Sequence, residues 1–366
     1  MKIGLLCKRL YTNKDLIDDR FGRLYHLPVQ LTRLGHEVSV VALDYRRGRP
    51  REEFDRDNVH FISLPAIGAV NTPRAMIQSL DAMRVVNPDI IVASGDTYLG
   101  AMASVISRTM KVPWVFDIYD DYRTFSSARI PGMQRLLKAT VRSAEALMVA
   151  SAPLRKIFSP FNGNCHIVEN GTDLDLFHPM DRLECRRALG IGADLTVIGY
   201  FGSIESRRGM RTLIAAVELC KEQYPKTHLL VSGKKDSNLD LSENSVDYRG
   251  QRPQSEVPLL INACDVVTIP YEKDPYIETT NACKISEYLA CEVPIVATKV
   301  SDMESLFAAT PQILADPGDP SSLSRAILRQ LHEPVTPHFA NTLTWEALAR
   351  RTENALIRAC REAGKC

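Results

Sequence analysis

The chain has 366 residues, long for one hydrophobic core and comfortable for two domains of roughly 170–190 residues each. Its apolar fraction of 45% and charged fraction of 24% are those of an ordinary globular protein. Lys and Arg total 45 against 44 Asp and Glu, so a formal charge of +1 excludes a global field that would recruit nucleic acid.

From the N-terminus, Ile3–Cys7 reads as the first buried strand. This five-residue apolar run stops at Lys8 and Arg9, too short for a secretory signal, and no apolar run of 18 residues follows anywhere. The expectation is a cytoplasmic protein, at most peripheral to the inner face of a membrane. Leu24, Leu27, Leu31 and Leu34 recur at helical spacing in Arg23–Leu34. Further strand-like runs follow at Val38–Leu43, His60–Leu64, Ile90–Ala93, Trp114–Ile118, Leu147–Ala150 and His166–Val168. The basic residues Arg129, Arg135, Lys138 and Arg142 alternate with Ile130, Met133, Leu136, Leu137 and Val141, which predicts an amphipathic surface helix. The same pattern suits a helix lying on an anionic membrane surface; the plain surface helix is the favoured reading.

Around 169–194 the chain becomes rich in turn residues, with Asn170-Gly171, Pro179 and Gly190-Ile-Gly192. The alternation then resumes with Val197–Phe201, Leu229–Val231, Val246–Tyr248, Val266–Ile269, Ile295–Ala297 and Ile313–Ala315. Buried runs alternating with helices predict parallel sheets covered on both faces. The expected fold is therefore α/β, with two doubly wound Rossmann-like domains facing across a cleft. The N-terminal domain is placed at 1–172 and the C-terminal domain at 190–342. The amphipathic C-terminal stretch, 343–366, is expected as a helix returning to the first domain. Nine scattered cysteines without C-x-x-C spacing fit reduced thiols rather than a disulfide framework or zinc site.

Neither half carries a G-x-G-x-x-G turn or a P-loop, which disfavours dinucleotide and ATP chemistry. The turn after Val197–Phe201 reads Gly202-Ser203-Ile-Glu-Ser-Arg207-Arg208-Gly209 before a helix expected over Thr212–Lys221. Backbone N–H groups at a helix start, with arginine beside them, suit a phosphate. Farther on, Thr280 and Asn281 are expected to cap a helix over Ala282–Ala290 that carries Lys284 and Glu287 three residues apart. A carboxylate in that position can accept two hydrogen bonds from a ribose diol. A surface Lys–Glu pair is the plain alternative. Asp55-x-Asp57 and Asp173-x-Asp175 have D-x-D spacing but follow no buried strand of the second half, and read as turn residues.

In this order and spacing, the chain resembles the family 4 retaining glycosyltransferases of the GT-B fold. The resemblance rests on Arg33-Leu-Gly35-His36-Glu37-Val38, on Val168-Glu-Asn170-Gly171-Thr-Asp173 with Phe177-His-Pro179, and on Gly199-Tyr-Phe-Gly202 with Arg208-Gly209. It rests also on Ala263-Cys-Asp265-Val-Val-Thr-Ile-Pro270 and on Lys284-Ile-Ser-Glu287-Tyr288-Leu-Ala with Pro294-Ile-Val-Ala. It implies a metal-independent transferase without cofactor, taking a UDP- or GDP-linked sugar to a sugar or lipid-linked acceptor in surface polysaccharide or glycolipid synthesis.

The resemblance implies that Glu287 binds the ribose and that Arg208, before Gly209, binds the diphosphate. Gly202, Ser203, Thr280, Asn281 and Lys284 complete the donor set. It implies an acceptor-side loop at Gly22 and Arg23, and a sugar-facing position at Tyr119 beside Asp120. Two positions depart from the pattern: Ser203 stands where many members have arginine, and Thr279 where many have glutamate, with Glu278 one residue away as the substitute. A sugar-nucleotide epimerase of the same fold, or a non-catalytic sugar- or nucleotide-binding partner, are the alternatives.

Overall fold

The computed structural model describes residues 1–11, 14–66, 72–242, 245–338 and 343–365; the expected domain limits at 342 and 366, and Cys366, lie outside them. The chain forms two compact units. The first comprises Met1–Gly171, Thr279–Asn281 and Trp345–Cys366, the second Thr172–Glu278 and Ala282–Thr344.

In the first unit the elements run β1 (Lys2–Lys8), β2 (Leu10–Tyr11), β3 (Lys14–Asp15), α1 (Arg23–Arg33), β4 (Glu37–Asp44), β5 (Glu52–Arg56) and β6 (Val59–Pro65). Then come α2 (Thr72–Val86), β7 (Ile90–Ser94), α3 (Thr97–Met110), β8 (Trp114–Ile118), α4 (Met133–Ser143), β9 (Ala146–Val149), α5 (Ala152–Phe158) and β10 (Cys165–Ile167). Eight strands share one sheet in the order β10-β9-β8-β7-β1-β4-β6-β5. All its pairs are parallel except β5 with β6. The continuous apolar runs explain the parallel pairing: from Val38 onward every residue of β4 is buried, as a strand covered on both faces requires.

The second unit contains α6 (Arg182–Leu189), β11 (Thr196–Phe201), α7 (Met210–Cys220), β12 (Thr227–Ser232), β13 (Val246–Tyr248), α8 (Val257–Asn262) and β14 (Val266–Ile269). It continues with α9 (Cys283–Ala290), β15 (Ile295–Thr298), α10 (Met303–Leu306), β16 (Leu314–Ala315) and α11 (Pro320–His332). Its sheet is wholly parallel, in the order β13-β12-β11-β14-β15-β16. Numbered within the unit this is 3-2-1-4-5-6, the doubly wound order whose switch point lies between the first and fourth strands. Here that is the gap beyond the carboxyl ends of β11 and β14, where Gly202 and Pro270 stand.

The final helix, α12 (Trp345–Glu362), belongs to the first unit. Leu348, Ala349, Ala355, Leu356, Ala359 and Cys360 enter the first core, one stripe of an amphipathic helix. Trp345 stacks on His26 of α1 with ring centroids 5.3 Å apart, and His36 Nε2 meets Glu353 at 2.8 Å.

Two expectations change. The stretch 129–142 is not one helix: Ser126–Arg129 forms a 3-10 turn, and α4 starts only after Gly132. Within α4, Met133, Leu137 and Val141 are buried, while Lys138 and Arg142 lie over the Phe161 ring at 5.4 and 5.5 Å. Among the described residues no helix is long and apolar enough to cross a membrane. The second change is β5, absent from the strand pattern because Glu-Glu-Phe-Asp-Arg has no apolar run; it is held by five antiparallel pairs with β6.

Candidate functional site

The second unit gathers Gly202, Arg208, Gly209 and Lys284 at its switch point. β11 delivers Gly202, whose N–H donates to the Ser232 carbonyl at 2.9 Å. Ser203 follows, its carbonyl accepting from the Tyr200 hydroxyl at 2.6 Å. Gly202 has φ +132°, and a Cβ there would stand 2.9 Å from Lys284 Nζ, so glycine admits the lysine head. Gly209 has φ +71°, and a Cβ there would stand 1.6 Å from the Pro270 carbonyl oxygen. Only glycine can start α7 this close to the end of β14.

Lys284 lies in the first turn of α9, a helix pinned to β11 by Tyr288, whose buried hydroxyl accepts from the Phe201 N–H at 2.9 Å. The Lys284 side chain is 7% exposed, and its Nζ has no hydrogen-bond partner among the described residues. Nζ sits 3.8 Å from the Tyr200 ring centroid and 5.3 Å from that of Tyr271. Arg208 Nη1 donates to the Tyr271 hydroxyl at 2.7 Å, while its Nε, 4.0 Å from Glu205 Oε1, is also buried without a hydrogen-bond partner among the described residues. Burial, and then the charge of Arg208, hold the Lys284 amine well below the usual lysine range, with Glu287 acting in the opposite sense. Two cations with unspent donors therefore share one corner. A buried cation is stable only when paired, so this corner is organised to receive an anion.

The helix starts agree. The N-cap residue of α9 is Ala282 rather than Thr280 or Asn281, and it makes no side-chain cap hydrogen bond; α7 begins at Gly209, which makes none. The N-cap position of α9 is thus one residue later than expected, and neither N-cap residue offers a side chain of its own to the amide groups of its helix start. Asn281 instead belongs to the first unit, where its Oδ1 accepts from the Asn170 N–H at 2.8 Å and its carbonyl from Asn170 Nδ2 at 2.6 Å. The Thr279 carbonyl, also in that unit, accepts from the Ser151 hydroxyl at 2.7 Å. Glu287 is partly exposed one turn into α9, and partly exposed Glu278 donates its N–H to the Asp274 carbonyl at 2.9 Å.

In the first unit, Tyr119 and Asp120 follow β8, and Gly22 precedes α1. Tyr119 is nearly buried and packs edge-to-face on Tyr122 with ring centroids 5.9 Å apart. Burial, then the Asp120 charge, pushes its phenol far above the ordinary range, so Tyr119 acts as a neutral hydroxyl. Arg23 has a structural setting rather than the open loop position expected for an acceptor contact. It is 1% exposed and forks onto Asp117 at 2.7 and 3.1 Å, with Nη1 donating to the Val168 carbonyl at 3.0 Å and Asn170 Oδ1 at 3.2 Å. Asp55 lies within β5 rather than in a turn and pairs with His60, while Asp57, in the turn that follows, accepts from the Tyr25 hydroxyl.

Sequence reasoning missed Tyr200 and Tyr271, whose rings and hydroxyls seat the two cations. Their positions at the ends of β11 and β14, flanking the switch point, were the available signal.

Two family models match the chain: "Glycosyl transferase 4-like domain" over residues 23–171 and "Glycosyl transferases group 1" over 196–333. Among curated proteins, the putative teichuronic acid biosynthesis glycosyltransferase TuaC of Bacillus subtilis is 26% identical over 260 residues, covering 70% of this chain and 65% of its own. A D-inositol 3-phosphate glycosyltransferase of Corynebacterium urealyticum is 23% identical, covering 69% and 67%. The chain thus spans about two thirds of the length of these relatives. Among solved structures, sucrose-phosphate synthase of Thermosynechococcus elongatus superposes with a TM-score of 0.71 at 19% identity, covering 99% of this chain and 97% of that one. Anabaena HepE, solved with UDP-glucose, gives 0.67 at 16%, covering 99% and 98%.

Proposed function

We propose, from the premise that this chain belongs to the family 4 glycosyltransferases of the GT-B fold, that it moves a sugar from a nucleotide-sugar onto an acceptor hydroxyl with retention of configuration. The observation that carries this reading is the pair at the switch point, buried Lys284 and half-buried Arg208, whose Nζ and Nε are buried without a hydrogen-bond partner among the described residues. Breaking the bond between the anomeric carbon and the diphosphate oxygen leaves an oxocarbenium-like sugar and drives negative charge onto the diphosphate. Arg208, Lys284 and the starts of α7 and α9 would hold that charge, the work a bound metal does in other transferases. Because both cations are fixed by tyrosines before substrate arrives, little reorganisation accompanies charge development.

In this reading Glu287 accepts the ribose hydroxyls, and Glu278 serves the sugar in place of Thr279. Tyr119 and Asp120 stand on the acceptor side. UDP is the favoured nucleotide, by likeness to HepE, solved with UDP-glucose, with GDP as the competitor. Surface polysaccharide synthesis is favoured by likeness to the teichuronic acid relative; a sugar or lipid-linked acceptor and a cytoplasmic location, in peripheral contact with the membrane where the acceptor is lipid-linked, complete the proposal.

Isothermal titration with UDP and GDP tests the donor site. One nucleotide is expected to bind, and Glu287→Ala to weaken it tenfold or more, about 1.4 kcal/mol. Donor consumption that requires an acceptor then separates transfer from epimerisation, which requires none. Failure of both nucleotides to bind the wild-type protein would overturn the reading and leave the non-catalytic partner in its place.

A further inference from the structure

A second basic feature lies in the first unit and takes no part in the site above. An open cavity of about 380 Å³ runs beside β10, lined by Gly163–Ile167, by Arg155 of α5, and by Arg351, Asn354 and Arg358 of α12. The spacing of the three α12 residues, at i, i+3 and i+7, places them along one helix face, so α12 turns its apolar stripe inward and a polar one to the cavity. β10 is the edge strand of its sheet, paired only with β9, so the cavity also borders unpaired strand backbone.

The charges are arranged rather than scattered. Arg351 is steadied by Glu169 at 2.6 Å and Arg358 by Glu362 at 2.9 Å, and Asn164 Nδ2 also donates to Glu362 at 2.7 Å. Arg155 has no carboxylate partner among the described residues. Three guanidinium groups thus face two carboxylates. His166 adds a ring nitrogen, its Nε2 2.8 Å from Asn164 Oδ1. Burial first, then the charges of Arg358 and Arg155, lower the His166 pKa, with Glu362 opposing, so the positive field reaches the ring. The Cys165 thiol is pushed up to about 11 by burial, which leaves it protonated and argues against a thiol-reactive centre.

We propose that the cavity lined by Arg155, His166, Arg351 and Arg358 is a second anion site that takes a phosphate-class dianion. Planar guanidinium forks suit the tetrahedral oxygens of phosphate, and a dianion supplies the countercharge that Arg155 lacks. Asn354 provides an amide group for the rest of a phosphoester, while Asn164 is engaged with Glu145, Glu362 and His166.

The test uses the full chain in phosphate-free buffer at constant ionic strength, titrated with inorganic phosphate. The local readout is the His166 ring resonance. Saturable binding is expected to raise the His166 pKa, because the dianion stabilises the imidazolium. Arg155→Gln and Arg358→Gln, both at exposed positions, should each weaken the effect tenfold or more while the far-ultraviolet spectrum is unchanged. Arg208→Gln should leave it intact, which separates this site from the donor site. Vesicles doped with phosphatidic acid distinguish the source. Arg155-dependent sedimentation assigns the phosphate to a lipid headgroup, and phosphate binding without sedimentation assigns it to a soluble phosphoester. A His166 resonance that does not respond to phosphate, or a response that survives Arg155→Gln but not Arg208→Gln, would overturn the proposal.

Discussion

Lys284 concentrates the conflict between stability and activity in one side chain. Its amine is buried beside Arg208 and is compensated in the free protein by tyrosine rings instead of a hydrogen bond. Because its folded pKa lies below that of the unfolded chain, the folded protein binds fewer protons in the window between the two values. Stability therefore rises with pH through that window and falls as pH drops toward its lower end. Lys284→Met is expected to flatten that slope and to raise the unfolding free energy of the ligand-free protein by about 1–3 kcal/mol at neutral pH. The same change should weaken nucleotide binding tenfold or more; denaturation at several pH values together with titration checks both. The candidate importance of Lys284 and Glu287 was legible from spacing and motif. Their surroundings were not, because Tyr200 and Tyr271 come from strands far apart in sequence and meet only at the switch point. The fate of Arg23 was equally hidden: nothing local to residue 23 announces Asp117 or the Val168 carbonyl.

Among the elements, the turn into α7 is the least tolerant. Gly209→Ala would place a methyl against the Pro270 carbonyl at a left-handed φ, and a backbone oxygen cannot step aside as a side chain can. We expect a loss of about 2–4 kcal/mol, since strain at φ > 0 and overpacking act together. Chemical denaturation of the purified variant measures it. The buried strands were readable because parallel pairing demands unbroken apolar runs: the thirteen runs read from the sequence are β1, β4 and β6 to β16, while β2, β3 and β5, which pair antiparallel, carry none. The helix start after Gly132 was not readable, whereas α9 was read to within one residue, over Ala282–Ala290 against Cys283–Ala290. Around α4 the basic residues Lys138 and Arg142 lie over Phe161, a partner remote in sequence.

At the scale of the molecule, two separate hydrophobic cores imply two separately addressable stabilities. Leu356→Ala, in the first core, and Leu213→Ala, in the second, should each cost about 2–5 kcal/mol. Scanning calorimetry should show each variant lowering a different part of the transition. The bound nucleotide should protect the second unit, by about 2.7 kcal/mol at a hundred times its Kd. If both variants shift one indivisible transition equally, the cores unfold as a unit. The doubly wound plan of both units was legible from the alternation of runs alone, whereas the return of α12 to the first unit came from the resemblance.

The strand that the apolar pattern overlooked has its own consequence. β5 closes one margin of the first sheet with Glu53 and Asp55 turned to solvent and Phe54 packed on Phe61. A second copy of the chain attempting to zip onto that margin would bring its backbone against two carboxylates. The poor strand former is thus a guard against aggregation, and its lack of hydrophobicity is the property that makes it one.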